Sequence, residues 1–231
     1  MTTTSKSTFG DEALRFYETA ARPRNLPADV HVIDPYRDAE VHRCMQLYFS
    51  TYFSDGAPRV FVLGINPGRF GSGVTGIPFA DPISLHTLYG IQSTLEGKQE
   101  LSAQFIEQFI GHWGGPHDFY KHFYITAMSP FGLIKGGQNY NYYDDPKVFE
   151  VLKPQIVAWL QRQLSFGAST TAIVFGKGKN SKALSGLNDV HRWFERILTL
   201  EHPRYVMQYK RAALPQYLDM YKQTFTEALE S

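Results

Sequence analysis

Apolar positions along the chain recur with two different periods. Between Asp11 and Ala21, Leu14, Phe16, Tyr17 and Ala20 form a helical pattern. Arg22–Asp29 carries two prolines and interrupts it; Val41, Met45, Tyr48, Phe49 and Tyr52 resume helical spacing between Asp38 and Phe53. Arg59-Val-Phe-Val-Leu-Gly-Ile65 differs, being short, nearly continuous and bounded by Pro58 and Asn66-Pro67-Gly68. Apolar runs without alternation suit strands covered on both faces, as in a parallel sheet. Phe123–Met128 and Thr171–Phe175 have the same character, and Ile197–Glu201 a weaker version. Helical spacing returns in Gln99–Trp113, in Pro146–Leu164 with Pro154 as a kink position, around Val190–Arg196, and in Leu214–Leu229. Alternating strands and helices predict one α/β domain with a mostly parallel four-stranded sheet, spanning 9–231 after a polar, disordered 1–8.

Composition narrows the class. Hydrophobic residues make up 43% and charged residues 19%, enough apolar material for a full core. Aromatics reach 15%, which suits a packed core or a surface that stacks flat ligands. The single cysteine, Cys44, rules out a disulfide framework and any Cys-rich zinc or iron–sulfur site. No apolar run approaches the ~18 residues of a membrane helix, and Met1–Lys6 does not open a signal peptide. The expectation is a soluble cytoplasmic protein, nucleoid-associated if bacterial, without membrane or metal partners and without a cofactor. The 23 Lys+Arg against 22 Asp+Glu argue against a globally basic nucleic-acid binder. Locally the balance changes: Gly176–Arg211 holds eight Lys/Arg and three Asp/Glu, interleaved with aromatics. Tracking phosphates and stacking bases needs that mixture.

In an open α/β sheet, ligands bind beyond the carboxyl ends of the strands. Five glycines lie between Gly64 and Gly76, where they let backbone approach a ligand closely. No GxGxxG fingerprint opens a helix, and Gly176-Lys-Gly-Lys-Asn-Ser181 lacks P-loop spacing. After the last strand, His202-Pro203 begins a loop rich in aromatics and cations. His112, His117 and His122, five residues apart, do not share a helix face. Gln138–Tyr143 reads as an exposed polar and aromatic loop.

Gly64-Ile-Asn-Pro-Gly68, with Phe70-Gly71, Thr75-Gly76 and Pro78-Phe79, resembles the first motif of the uracil-DNA glycosylase superfamily. His202-Pro203 resembles the start of its second motif, and the single-strand-selective monofunctional (SMUG) branch, in a second subgroup of it, is the best match. The resemblance implies a three-layer sandwich and a monofunctional enzyme that flips and excises uracil from DNA in base excision repair. Asn66 would position a water, and His202 would hydrogen-bond the base oxygen as charge develops. Phe79 would stack on the base, with Ile65, Gly68 and Phe70 around it. Arg69, Lys177, Lys179, Arg204, Tyr205, Gln208, Lys210 and Arg211 are the DNA-contact candidates, with Arg204, Tyr205 and Lys210 entering the duplex.

Two departures widen the expectation. The family's uracil-reading asparagine is missing from Ile125-Thr-Ala-Met-Ser-Pro130, leaving Thr126, Ser129 or Asn139 to replace it. The implied substrates therefore extend to other deaminated bases, xanthine among them. Arg204-Tyr205 also stands where Ser-Pro is more usual. The alternatives are a mismatch-specific uracil/thymine glycosylase, a non-catalytic lesion- or single-strand-binding protein on the same fold, and a nucleoside-processing enzyme.

Overall fold

The computed structural model describes residues 7–230. In chain order its elements are α1 (Phe9–Thr19), β1 (Val30–Ile33), α2 (Ala39–Tyr52), β2 (Arg59–Gly64), α3 (Ser72–Thr75) and α4 (Pro82–Thr87). There follow α5 (Leu101–Trp113), α6 (Pro116–Tyr120), β3 (Phe123–Ala127), β4 (Gly132–Lys135) and β5 (Gln138–Tyr140). The chain closes with α7 (Pro146–Leu164), β6 (Ala168–Phe175), α8 (Lys179–His191), β7 (Arg196–Leu200), α9 (Pro203–Tyr209) and α10 (Leu214–Leu229).

The uninterrupted apolar runs form one parallel sheet in the order β3-β2-β6-β7. All six residues of β2 are buried, as its lack of alternation requires. Successive strand residues face opposite ways, so Phe123 and Tyr124 serve two different cores. Tyr124 packs 5.0 Å from Phe9 and from Phe61, under α1. Phe123 packs 4.8 Å from Phe225 of α10 and 5.2 Å from Trp113 of α5. Helices thus cover both faces, giving an α/β three-layer sandwich whose central four-stranded parallel sheet is flanked by helices. Much of the aromatic excess lies in these two cores.

Register brings Gly64 opposite Ala127, and Phe175 opposite Leu200. The residues after these strand ends therefore meet at one edge of the sheet.

The structure departs from the sequence expectations in four places. Thr8, placed in the disordered leader, caps α1: its hydroxyl accepts from the Asp11 N–H and its own N–H donates to the Asp11 carboxylate. The rest of that expectation, residues 1–6, lies outside the described residues. The helix expected around Val190–Arg196 is instead α8, which begins within the glycine-rich segment and stops at Arg192, whose φ is 54°. Leu184 and Leu187, not Val190, are its buried anchors. The expected loop after His202 is the helix α9: Pro203 occupies its first position, where a missing N–H costs nothing, and Val206 and Met207 are buried. Finally, β1, β4 and β5 form a second, antiparallel sheet in the order β1-β4-β5. Gly136 and Gly137, at φ 56° and 72°, supply the tight turn between β4 and β5 that side-chain-bearing residues disfavour.

Candidate active site

A cavity of about 420 Å³ opens at the carboxyl edge of the parallel sheet. Its walls are the Ile65–Phe70 turn, Pro78-Phe79, the end of β3 with Thr126 and Ala127, the β4–β5 hairpin, Glu100, and His202 with Arg204.

Asn66 leaves β2 into this space with both ends of its amide held. Its Nδ2 donates to the Tyr140 carbonyl at 3.2 Å, and its Oδ1 accepts from the Tyr142 N–H at 3.2 Å. Those partners fix which end is oxygen and leave one N–H and one lone pair for a ligand or water. The same hairpin also grips the motif turn one step further on. Asn139 Oδ1 accepts from the Arg69 N–H at 3.0 Å, and the Arg69 guanidinium donates to the Gly137 carbonyl.

Phe79 floors the cavity. A Cβ on Gly64 would stand 2.8 Å from its ring, so glycine is what lets the ring lie against β2. Phe79 itself has φ 57°, a left-handed conformation rare for an aromatic residue. Its ring meets Phe175 edge-on at 5.5 Å and lies 5.6 Å from the His202 imidazole.

His202 is half-buried at the N-terminus of α9. Its Nδ1 accepts from the Arg204 N–H at 3.2 Å, which places the ring proton on Nε2. Burial, with the Arg204 cation adding to it, lowers its pKa to about 4. At neutral pH the ring is therefore uncharged and offers one Nε2–H donor.

Asn180, near the start of α8, ties the site together beneath the surface. Its Nδ2 donates to the carbonyls of Gly64 and Phe175, and its Oδ1 accepts from the Tyr142 hydroxyl at 2.7 Å. Asn180→Ala leaves the buried Tyr142 hydroxyl without its partner, at about 1–3 kcal/mol, and takes one bond each from the Phe175 carbonyl and from the Gly64 carbonyl, which keeps the Met128 N–H. A lowered melting temperature is expected, and calorimetry checks it.

Residues 50–229 match the family model of the Uracil DNA glycosylase superfamily. The chain belongs to that superfamily. It is similar to the crystal structure of wild-type Pedobacter heparinus SMUG2, at 36% identity and a TM-score of 0.93, over 98% of this chain and 100% of that one. No curated protein matches it. The three-layer sandwich is thus a uracil-DNA glycosylase fold, and the cavity stands where that fold brings its strand ends together.

In this member of the superfamily the cavity collects Asn66, His202, Ile65, Gly68, Arg69, Phe70, Phe79, Thr126 and Arg204. Two of the base-reading candidates are tied up locally. Thr126 gives its hydroxyl proton to Gln163 Oε1 at 2.5 Å and lies 3.3 Å from the Tyr17 hydroxyl. Ser129 stands outside the cavity, fully buried, with its hydroxyl closing a turn onto the Phe131 carbonyl and N–H.

Lys177, Lys179, Tyr205, Gln208, Lys210 and Arg211 are exposed and do not line the cavity. Lys177 lies 3.8 Å from Glu201, and Lys179 sits over the Tyr143 ring. Tyr205 and Tyr209 pair at 5.4 Å on the exposed face of α9, beside Arg204. Tyr17, Tyr36, Glu100 and Asn180 are parts of the site, or of its support, that sequence reasoning missed. Of these only Tyr17 carried a sequence signal, as a member of the first helical pattern, and that signal pointed to the core.

Proposed function

We propose that this DNA glycosylase is monofunctional and flips uracil, and other deaminated bases such as xanthine, out of DNA and excises them in base excision repair. The observation that carries this reading is the placement of Asn66 and a neutral, Nε2-protonated His202 around one aromatic-floored cavity.

The flipped base lies on Phe79. As the bond between C1′ and the base nitrogen breaks, its electron pair moves into the base and negative charge collects on a ring oxygen. His202 Nε2–H donates to that oxygen, and the nearby Arg204 cation favours the anion. Loss of the base leaves an oxocarbenium-like sugar. Asn66 holds the water that adds to C1′; an amide does not take up the water's proton, which leaves to solvent. Among the described residues no lysine lines the cavity, in keeping with excision that leaves the strand intact. Arg204, Tyr205, Lys210 and the neighbouring cations face the duplex and fill the space left by the flipped nucleotide.

The test is excision from single- and double-stranded oligonucleotides carrying uracil, hypoxanthine or xanthine. Strand breaks at the lesion only after alkali are expected. Gel retardation without alkali-labile sites would make the protein a lesion binder. Cleavage of free deoxyuridine but not of oligonucleotides would make it a nucleoside enzyme.

A further inference from the structure

Glu100 is the N-cap residue of α5, yet its side chain makes no cap bond. Helix N-termini ordinarily draw such an oxygen onto their free N–H groups. Its backbone is held instead: the Glu100 N–H donates to Asp81 Oδ2 at 2.7 Å, and Asp81 is buried and bound by the N–H groups of Ile83 and Ser84. The carboxyl turns into the cavity, where it is the only acidic group among the described lining residues. Oε1 lies 2.8 Å from where a Cβ on Gly68 would stand, and a Cβ on Gly71 would overlap Oε2. Glycine at both positions makes room for this carboxyl.

Burial pushes the Glu100 pKa above the ordinary carboxylate value, opposed by the charge of Arg204 and reinforced by that of Asp81. No hydrogen-bond donor among the described residues reaches either oxygen. A part-buried carboxyl without a donor is costly unless a ligand supplies one.

A donor group stands beside it. Asn139 Nδ2 is 3.4 Å from the same position over Gly68. Its Oδ1 is already engaged by the Arg69 N–H, which orients the amide and leaves the NH₂ group available. An acceptor and a donor thus flank one point of the cavity wall.

Deamination reverses the edge of a base. Cytosine and adenine show an amino donor next to a ring-nitrogen acceptor. Uracil and hypoxanthine show a carbonyl acceptor next to a ring N–H donor, the lactam edge, and xanthine carries the same pair. We propose that Glu100 and Asn139 together read this lactam edge, Glu100 accepting from the ring N–H and Asn139 Nδ2 donating to the carbonyl. The inference rests on the glycosylase reading above and deepens it by naming the groups that separate uracil from cytosine and hypoxanthine from adenine. Neither pyrimidine nor purine is required, because both deaminated classes carry that edge.

Excision of uracil, hypoxanthine and 3-methyluracil from single-stranded oligonucleotides tests it, across a pH series, for wild type, Glu100→Gln, Glu100→Ala and Asn139→Ala. Wild type is expected to remove 3-methyluracil, which lacks the N–H, at least about 100-fold more slowly than uracil. Glu100→Ala and Asn139→Ala are expected to lower kcat/KM on uracil and on hypoxanthine by about tenfold to 100-fold. Glu100→Ala also narrows the gap between uracil and 3-methyluracil.

Protonation turns one carboxyl oxygen into a donor and weakens the other as an acceptor, so wild-type activity falls as pH drops through the raised Glu100 pKa. The near-isosteric Glu100→Gln removes that limb, and it decides the matter if the alanine variant folds poorly. Wild type that removes 3-methyluracil as fast as uracil, or Glu100→Gln with an unchanged pH limb, overturns the proposal while leaving the glycosylase reading intact. Wild type that excises no base overturns both.

Discussion

Asn66→Ala is expected to lower kcat for uracil excision by about 100- to 1,000-fold, the range typical of losing a positioned proton-relay or water-orienting group. In the proposed mechanism the amide holds a water through the N–H and lone pair left free by Tyr140 and Tyr142, and alanine provides neither. The effect belongs in kcat more than in KM, since Phe79 and the rest of the cavity still bind the base. Two hydrogen bonds, to Tyr140 of β5 and to Tyr142 just beyond it, are also lost, at about 0.5–1.5 kcal/mol each, so the melting temperature falls by roughly 2–12 °C. Asn66→Asp separates the two effects. It keeps an acceptor for the Tyr142 N–H but sets a carboxylate against the Tyr140 carbonyl. Single-turnover kinetics with melting curves make the measurement, and Asn66→Ala at a wild-type rate would remove Asn66 from the mechanism.

His202→Ala is expected to cost about 100- to 1,000-fold in kcat, the penalty usual for removing one donor aimed at a developing oxyanion. The structure adds the protonation state. With Nδ1 engaged by the Arg204 N–H and a pKa of about 4, the ring is a neutral donor across the working range. With the Glu100 limb removed by Glu100→Gln, the pH–rate profile should therefore show no inflection near 6.5, the ordinary histidine value.

Stability carries the same signature. Between about 6.5 and about 4 the unfolded chain binds a proton at His202 that the folded chain does not, so stability falls as pH falls through that window. His202→Ala should flatten this part of the stability curve. Denaturant titrations at pH 7 and pH 5 provide the check, and an unchanged slope would sink the neutral-histidine account.

The two corrected helices show where reading the chain alone loses its grip. In the sequence, Gly176, Gly178 and Asn180 stand out only as a glycine-rich run without P-loop spacing. In the fold, Gly178 caps α8, and Asn180 is buried inside its first turn. Its hydrogen bonds reach back to Gly64 and Tyr142, elements far away along the chain. His202-Pro203 carries a visible helix-start signal in the proline, but the cations and aromatics of the segment made it read as a DNA-tracking loop. Both readings are compatible, since α9 places those groups on its exposed face while Val206 and Met207 anchor it.

The chain by itself determined the parallel sheet and put Asn66 and His202 at its strand ends, while Phe79 was marked only by the resemblance to the superfamily's first motif. Uninterrupted apolar runs are a local property, and residues just past a strand end inherit their place from the strand. Only the tertiary structure decided what those residues can do. The Asn66 amide is oriented by backbone groups more than seventy positions away. Thr126 was removed from free service by Gln163 on α7, and Ser129 by the turn it closes. Glu100, a polar position at the start of the Gln99–Trp113 helical pattern, was delivered to the cavity by Asp81 and by the room left at Gly68 and Gly71. Hydrogen-bond partners and burial depend on which distant segments meet. Local pattern records which face a residue takes, but not what it will meet there.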